Sequence, residues 1–328
     1  MATPRKPGAF LAVVAVPIIF AVTLLTFAWP AARLEPRDLP FGLAGPPAQT
    51  QAIEQRLAQE ANAFDIHRYA DEQAARSAIE DREIYGAAVA SPTGLKVLTA
   101  SAASPVVAGM IQTAFSSFEG QTGPKVDDVV PADTDDPRGS VLGALVLPLV
   151  LSSVLTAVIV TMSGQSGLLQ AGAILGATML GGVVGIAMVQ SWLGAFDGSW
   201  IVNAGVVCLT MLAITAAIAG LSAIFGHVGA ALGGLTMVLV ANPWSAISSA
   251  PELLPKPIGL IGQLLPVGAG GNLLRSTAFF DRAGEGGHLA VLLVWAALGF
   301  SAMWAGALLH RRRADSVEEL RPALPGAG

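Results

Sequence analysis

The chain has 328 residues, 53% of them hydrophobic and only 12% charged, with a net charge of −5. An ordinary soluble domain carries about 25% charged residues, so half the expected charge is missing, and the acidic balance excludes the basic face that nucleic-acid binding requires. A single cysteine, Cys208, lies in an apolar run and excludes both an internal disulfide and a cysteine-based metal centre.

Charge is distributed in blocks. No Asp, Glu, Lys or Arg occurs between Arg138 and Asp197, or between Asp197 and Glu252, whereas Ala31 to Gly139 holds 16 acidic and 9 basic residues. Such a contrast implies two solvents, lipid and water. A bilayer core about 30 Å thick needs roughly 20 apolar residues in a helix. Six runs meet that length: Ala9–Trp29, Ser140–Met162, Leu168–Leu193, Val202–Phe225, Val228–Ser245 and His288–His310. The first exceeds the usual length of a cleaved signal core and reads as an anchor. The expected fold class is therefore an α-helical polytopic membrane protein with a small α/β domain between the first two spans.

Residues 1–30 form the N-terminus and first span, and residues 31–139 form the α/β domain. Leu39–Ala44 reads as a strand, Gln49–Phe64 as a helix and Phe64–Tyr69 as a strand. Asp71 is an N-cap for a helix burying Ala74, Ala75 and Ile79. Two strands, Tyr85–Ala90 and Leu95–Ala100, flank the turn Ser91-Pro92-Thr93-Gly94, and a helix over Ser104–Phe118 closes the order β-α-β-α-β-β-α. The Asp-rich stretch Val126–Arg138 is expected to lead back to the membrane. His67, Asp65 and Asp71 are too few for a metal or catalytic set, and no G-x-S-x-G, H-E-x-x-H or C-x-x-C occurs.

Residues 140–310 hold the remaining spans, and 311–328 a tail. Gly172 and Gly176, with Gly181, Gly182 and Gly185, are expected to let helices approach closely. Arg5 and Lys6 precede the first span and Arg311–Arg313 follow the last, which places both termini in the cytoplasm of a plasma-membrane protein and the α/β domain outside.

The segment 247–286 is too apolar for an ordinary loop and too broken to span. It is expected to dip back into the outer leaflet as two short helices, with the break at Gly268, Gly270 and Gly271 and with Arg275 near a cavity or paired to Asp281. Gln190 and Asn203 line a path or bond neighbouring helices. Spans two to five contain no ionisable acid or base, so an ion-coupled carrier has no candidate residues, and no phosphate loop G-x-x-x-x-G-K-[ST] is present. No cofactor, metal or enzymatic residue set is expected.

The arrangement of a short basic N-terminus, one span, a large outer domain and five further spans resembles the ABC-2 type membrane subunits, in the branch related to the YhgE/Pip (phage infection protein) family. The stretch LPVGAGGNLLRSTAFF, with Leu265, Pro266 and Arg275, resembles that family's segment before the last span. The resemblance implies a permease subunit of an exporter, working as a homo- or heterodimer with a separate ATP-binding subunit. Pro266, Gly270, Gly271, Arg275, Gln190 and Asn203 are then the candidate path or outer gate. The alternative is a non-transporting membrane scaffold or surface receptor of a cell-envelope assembly.

Overall fold

A computed structural model describes residues 7–59, 63–91, 94–116, 124–165 and 167–320, with side chains described from 13 to 309. Helix α1, Pro7–Ala31, is apolar around its circumference, and Val13, Val16, Phe20 and Leu25 stand more than half exposed. A helix without a polar face suits lipid rather than water.

The α/β domain contains β1 (Leu39–Ala44), α2 (Pro47–Leu57), β2 (Phe64–Tyr69), α3 (Glu72–Glu80), β3 (Gly86–Ser91), β4 (Gly94–Thr99), α4 (Pro105–Phe115) and β5 (Lys125–Asp128). The sheet order is β2-β1-β3-β4-β5, antiparallel only between β3 and β4. Asp71 does cap α3, accepting from the Ala74 amide at 2.9 Å, and Ser104 caps α4 from the Val107 amide at 3.2 Å. Phe41 anchors one core, 5.5 Å from the Phe115 ring and 5.7 Å from Phe64.

One strand was not expected. β5 lies inside the acidic stretch, and its charge is tolerated because Arg76 and Lys96 both pair with Asp127. Asp128 accepts from the Ser101 amide at 2.9 Å. Glu72 closes this surface cluster at 2.7 Å from Lys96. The cations on Arg76 and Lys96 hold the Glu72 and Asp127 carboxyls below the usual carboxylate range.

Five helices among the described residues are long and apolar enough to cross a bilayer: part of α1, α5 (Ser140–Met162), α6 (Leu168–Ile186) with its π-helical continuation Ala187–Trp192, α7 (Trp200–Phe225) and the first part of α12 (Glu285–Leu320). They mark a helical membrane protein. The run expected as the fifth span is a rod of three consecutive pieces: α8 (His227–Thr236), π-helical Met237–Ala241 and α9 (Asn242–Trp244). α7 is the central helix, with two thirds of its apolar window buried against α5, α6, α8 and α12. Its crossing with α12 is glycine-dependent: a Cβ on Gly220 would lie 2.7 Å from the Gly299 carbonyl oxygen. Gly181 and Gly182 pack α6 against Met211 and Cys208 of α7, as close packing predicts, but Gly172 and Gly176 face no neighbour within 4 Å.

Two differences from expectation follow from helix chemistry. In the segment before α12 lie a 3₁₀ turn, Pro251–Leu253, and two helices, α10 (Ile258–Gln263) and α11 (Pro266–Phe279). The break falls at Leu264 and Leu265, because Pro266 starts α11 at a position that needs no amide hydrogen. Gly268, Gly270 and Gly271 are inside α11, where they allow contact with Gly262, Thr210 and Ile247. Helix α12 starts at Glu285 and continues as helix through Arg311–Arg313 to Leu320, its 36 residues reaching about 54 Å.

Candidate functional site

The α/β domain and the α9–α11 region are joined by a polar seam. After α3 the chain turns at Arg82, which takes φ +62°, and its amide caps the helix on the Ile79 carbonyl at 3.0 Å. The turn aims the Arg82 guanidinium at α11. It donates to the Asn272 carbonyl at 3.0 Å, to Asn272 Oδ1 at 3.0 Å and to Ser276 Oγ, while lying 5.4 Å from the Phe280 ring centre. Removal from water lowers the Arg82 pKa from the usual arginine value.

Arg275, one helical turn along α11 from Asn272, donates to the same Asn272 Oδ1 at 3.0 Å and to the Ile247 carbonyl at 2.6 Å. It is buried, and its Nε has no partner among the described residues. The expected pairing with Asp281 is not made. Two guanidiniums therefore share one neutral amide, and neither forms an ion pair among the described residues. Asn272 Nδ2 donates to Gln263 Oε1 at 2.5 Å, and Gln263 Nε2 donates to the Ser245 carbonyl at 3.0 Å. Beside them the Tyr85 hydroxyl donates to Glu252 Oε2 at 2.8 Å. Burial first, and the Glu252 charge second, push the Tyr85 phenol far above its usual pKa.

These residues back a cavity of about 650 Å³ between the two parts. Arg82, Tyr85, Glu252, Gln263 and Asn272 form its polar inner wall, and Pro251, Leu254, Pro257 and Leu260 its apolar wall. At its rim Arg37 donates to the Leu253 carbonyl at 2.7 Å, and Lys256 pairs with Asp38.

The residues singled out from sequence fall against α11 but not in this cavity. Asn203 donates to Gln190 Oε1 at 3.0 Å and accepts from Thr277 Oγ1 at 2.7 Å, so these three close a helix-to-helix network. Asn203 is fully buried. Gly270, Gly271 and α5 border only a hollow of about 20 Å³, and Pro266 is buried at the start of α11. Sequence reasoning missed Arg82, Tyr85, Glu252, Gln263 and Asn272. A local signal existed for two of them. Asn272 precedes Arg275 by three residues and so shares its helix face, and Glu252 is the first acid after the long uncharged stretch.

In the α/β domain, His67 and Asp65 stand 3.2 Å apart on an exposed edge. No group of three metal-ligating side chains occurs among the described residues. No protein-family model, curated protein or solved structure matches this chain.

Proposed function

We propose that the chain is the membrane-spanning permease subunit of an ABC-2 type exporter that depends on a separate ATP-binding subunit. In this reading the rod α8 to α9 is the fifth of six spans. Its eighteen helical residues reach about 27 Å at the α-helical rise. The α/β domain then lies outside, and both termini are cytoplasmic. Two such subunits, identical or different, enclose the path. Nucleotide-driven closure of the ATPase reaches it through the ends of α5 and α6, around Ser163 and Gly164.

The observation that carries this reading is the α10–α11 pair. Both helices are too short to cross a bilayer, yet α11 packs against α5, α7 and α12 and buries Asn272, Arg275 and Thr277. Intramembrane charge is costly and marks pathways more often than packing. A short non-spanning helix pair bound to an outer domain suits a gate that moves with that domain.

The test is purification of the full chain in mild detergent, followed by reconstitution of the complex in liposomes. An ATP-binding subunit should co-purify, its ATP hydrolysis should depend on this chain, and Arg275→Ala should uncouple hydrolysis from transport in the reduced amount of complex that still assembles. Intact chain with no associated ATP hydrolysis overturns the permease and leaves the scaffold or receptor.

A further inference from the structure

The large cavity is lined by three cations, Arg37, Arg82 and Lys256, and by three carboxylates, Asp38, Glu83 and Glu252. A ligand of one net charge would unbalance that wall, whereas a ligand carrying both signs would not. The rim charges are paired or face water: Lys256 pairs with Asp38, Arg37 pairs with Glu35, and Glu83 stands exposed. The inner end differs. Arg82 and Glu252 are both half-buried and both line the cavity, yet neither forms an ion pair among the described residues. Burial lowers the Arg82 pKa, and the Glu252 charge acts against that fall, so the two lie within electrostatic reach without pairing.

Each of these two groups keeps bonding capacity to spare. Arg82 uses three of its five N–H groups, all on neutral oxygens, and the remaining two lie on the adjacent nitrogens Nε and Nη2. Two neighbouring N–H groups of a guanidinium match the paired oxygens of an acid. Glu252 accepts from the Tyr85 hydroxyl through Oε2, and its Oε1 has no hydrogen-bond partner among the described residues. An ammonium, with three donors, suits that free oxygen. A volume of about 650 Å³ is within the range of small-molecule pockets, roughly 300–1,000 Å³, and leaves room beyond the two charged groups. The other wall is apolar, from Leu254, Pro257 and Leu260, and Leu260, 69% exposed, carries that wall to the surface.

We infer that this cavity binds a zwitterion on an apolar body, its ammonium against Glu252, its acid on Nε and Nη2 of Arg82, and its apolar part along Leu254, Pro257 and Leu260. One such ligand pairs both half-buried charges at once, which is the condition under which buried charge is tolerated. Two sources carry this chemistry: a free amino acid with an apolar side chain, and the headgroup of an aminophospholipid. The inference rests on the cavity walls alone, and holds for a permease and for a receptor.

Binding to the full chain in a nonionic detergent tests it with matched probes. Leucine is compared with N-acetylleucine, which lacks the ammonium, and with leucinamide, which lacks the acid. Short-chain phosphatidylethanolamine is compared with phosphatidylglycerol of equal chain length, which lacks the ammonium. At least one zwitterion should bind roughly tenfold more tightly than its analogues, as one hydrogen-bonded charge contact predicts, and that zwitterion identifies the source. Glu252→Gln keeps an acceptor for Tyr85 and removes only the charge. The melting temperature should therefore hold while affinity for that zwitterion falls roughly tenfold. Leu260→Trp, at an exposed position, fills the apolar wall without touching either charge and should lower the same affinity at an unchanged melting temperature. Zwitterions that do not bind, or bind no more tightly than their analogues, overturn the inference. Wild-type affinity in both variants overturns it as well, by placing the bound zwitterion elsewhere.

Discussion

At the residue scale Asn272 is central, since one amide oxygen accepts from the buried guanidinium of Arg275 and the half-buried one of Arg82. Replacing it by Leu keeps the volume but removes the acceptor from both. Hydrogen bonds to charged groups are worth about 1.5–3 kcal/mol each, so Asn272→Leu should cost about 3 kcal/mol and lower the melting temperature of the purified chain by several degrees. Arg275→Ala should reduce the amount of protein in the membrane fraction, because Ile247 and Asn272 lose their donor. Asp281→Ala should leave that amount unchanged on the same immunoblot, since Asp281 takes no part in the seam. On the surface, Glu72 and Asp127 have carboxyls held below their ordinary range by Lys96 and Arg76. Groups with a depressed folded pKa add stability above the unfolded value, near pH 4, and lose it as pH falls through the folded value. Lys96→Met should therefore flatten the acid-side fall in unfolding midpoint between pH 7 and pH 3. Arg275 was legible in sequence as a lone charge in an apolar run. Its companion was not, because Arg82 is 190 residues from Asn272 and sits in an ordinary helix-ending turn.

Elements were legible where one period dominated. The alternation in β2 and the Asp71 cap and helical spacing of α3 are local properties, and the structure places those elements within a few residues of expectation. β5 was hidden because Asp127 answers to Arg76 and Lys96 and Asp128 to Ser101, which no local pattern reveals. The α10–α11 boundary was displaced because glycine was read as a breaker where it serves helix packing, while the proline one position after Leu265 set the helix start. The 3₁₀ turn holds the least expected contact. Leu253, fully buried, belongs to the same core cluster as Phe41, Ile53, Leu57 and Phe115 of the α/β domain. Truncating a buried leucine costs about 2–5 kcal/mol. Leu253→Ala should loosen the α/β domain although it lies far outside it in sequence, and limited proteolysis should then cut within residues 39–128 faster than in the wild-type chain.

At the scale of the molecule, topology is the decisive measurement. A reporter active only outside the cytoplasm should work when fused after Asp127 and fail when fused after Arg313, following the basic residues at both ends. A silent reporter after Asp127 would invert the arrangement and place the large cavity on the opposite leaflet. The broad plan of charged block and uncharged runs was visible because lipid and water select different compositions. The docking of one on the other was not, since it depends on shape at long range. That docking also sets an order of assembly. The α/β domain leaves the ribosome before any span after the first, but Ala250 and Leu253 complete its core, and Phe280 completes the second cluster on its other side. Between the synthesis of Asp128 and that of Phe280 the domain exists with two open hydrophobic faces. During that interval it must wait, exposed to chaperones and proteases, until four further helical segments have been threaded and packed.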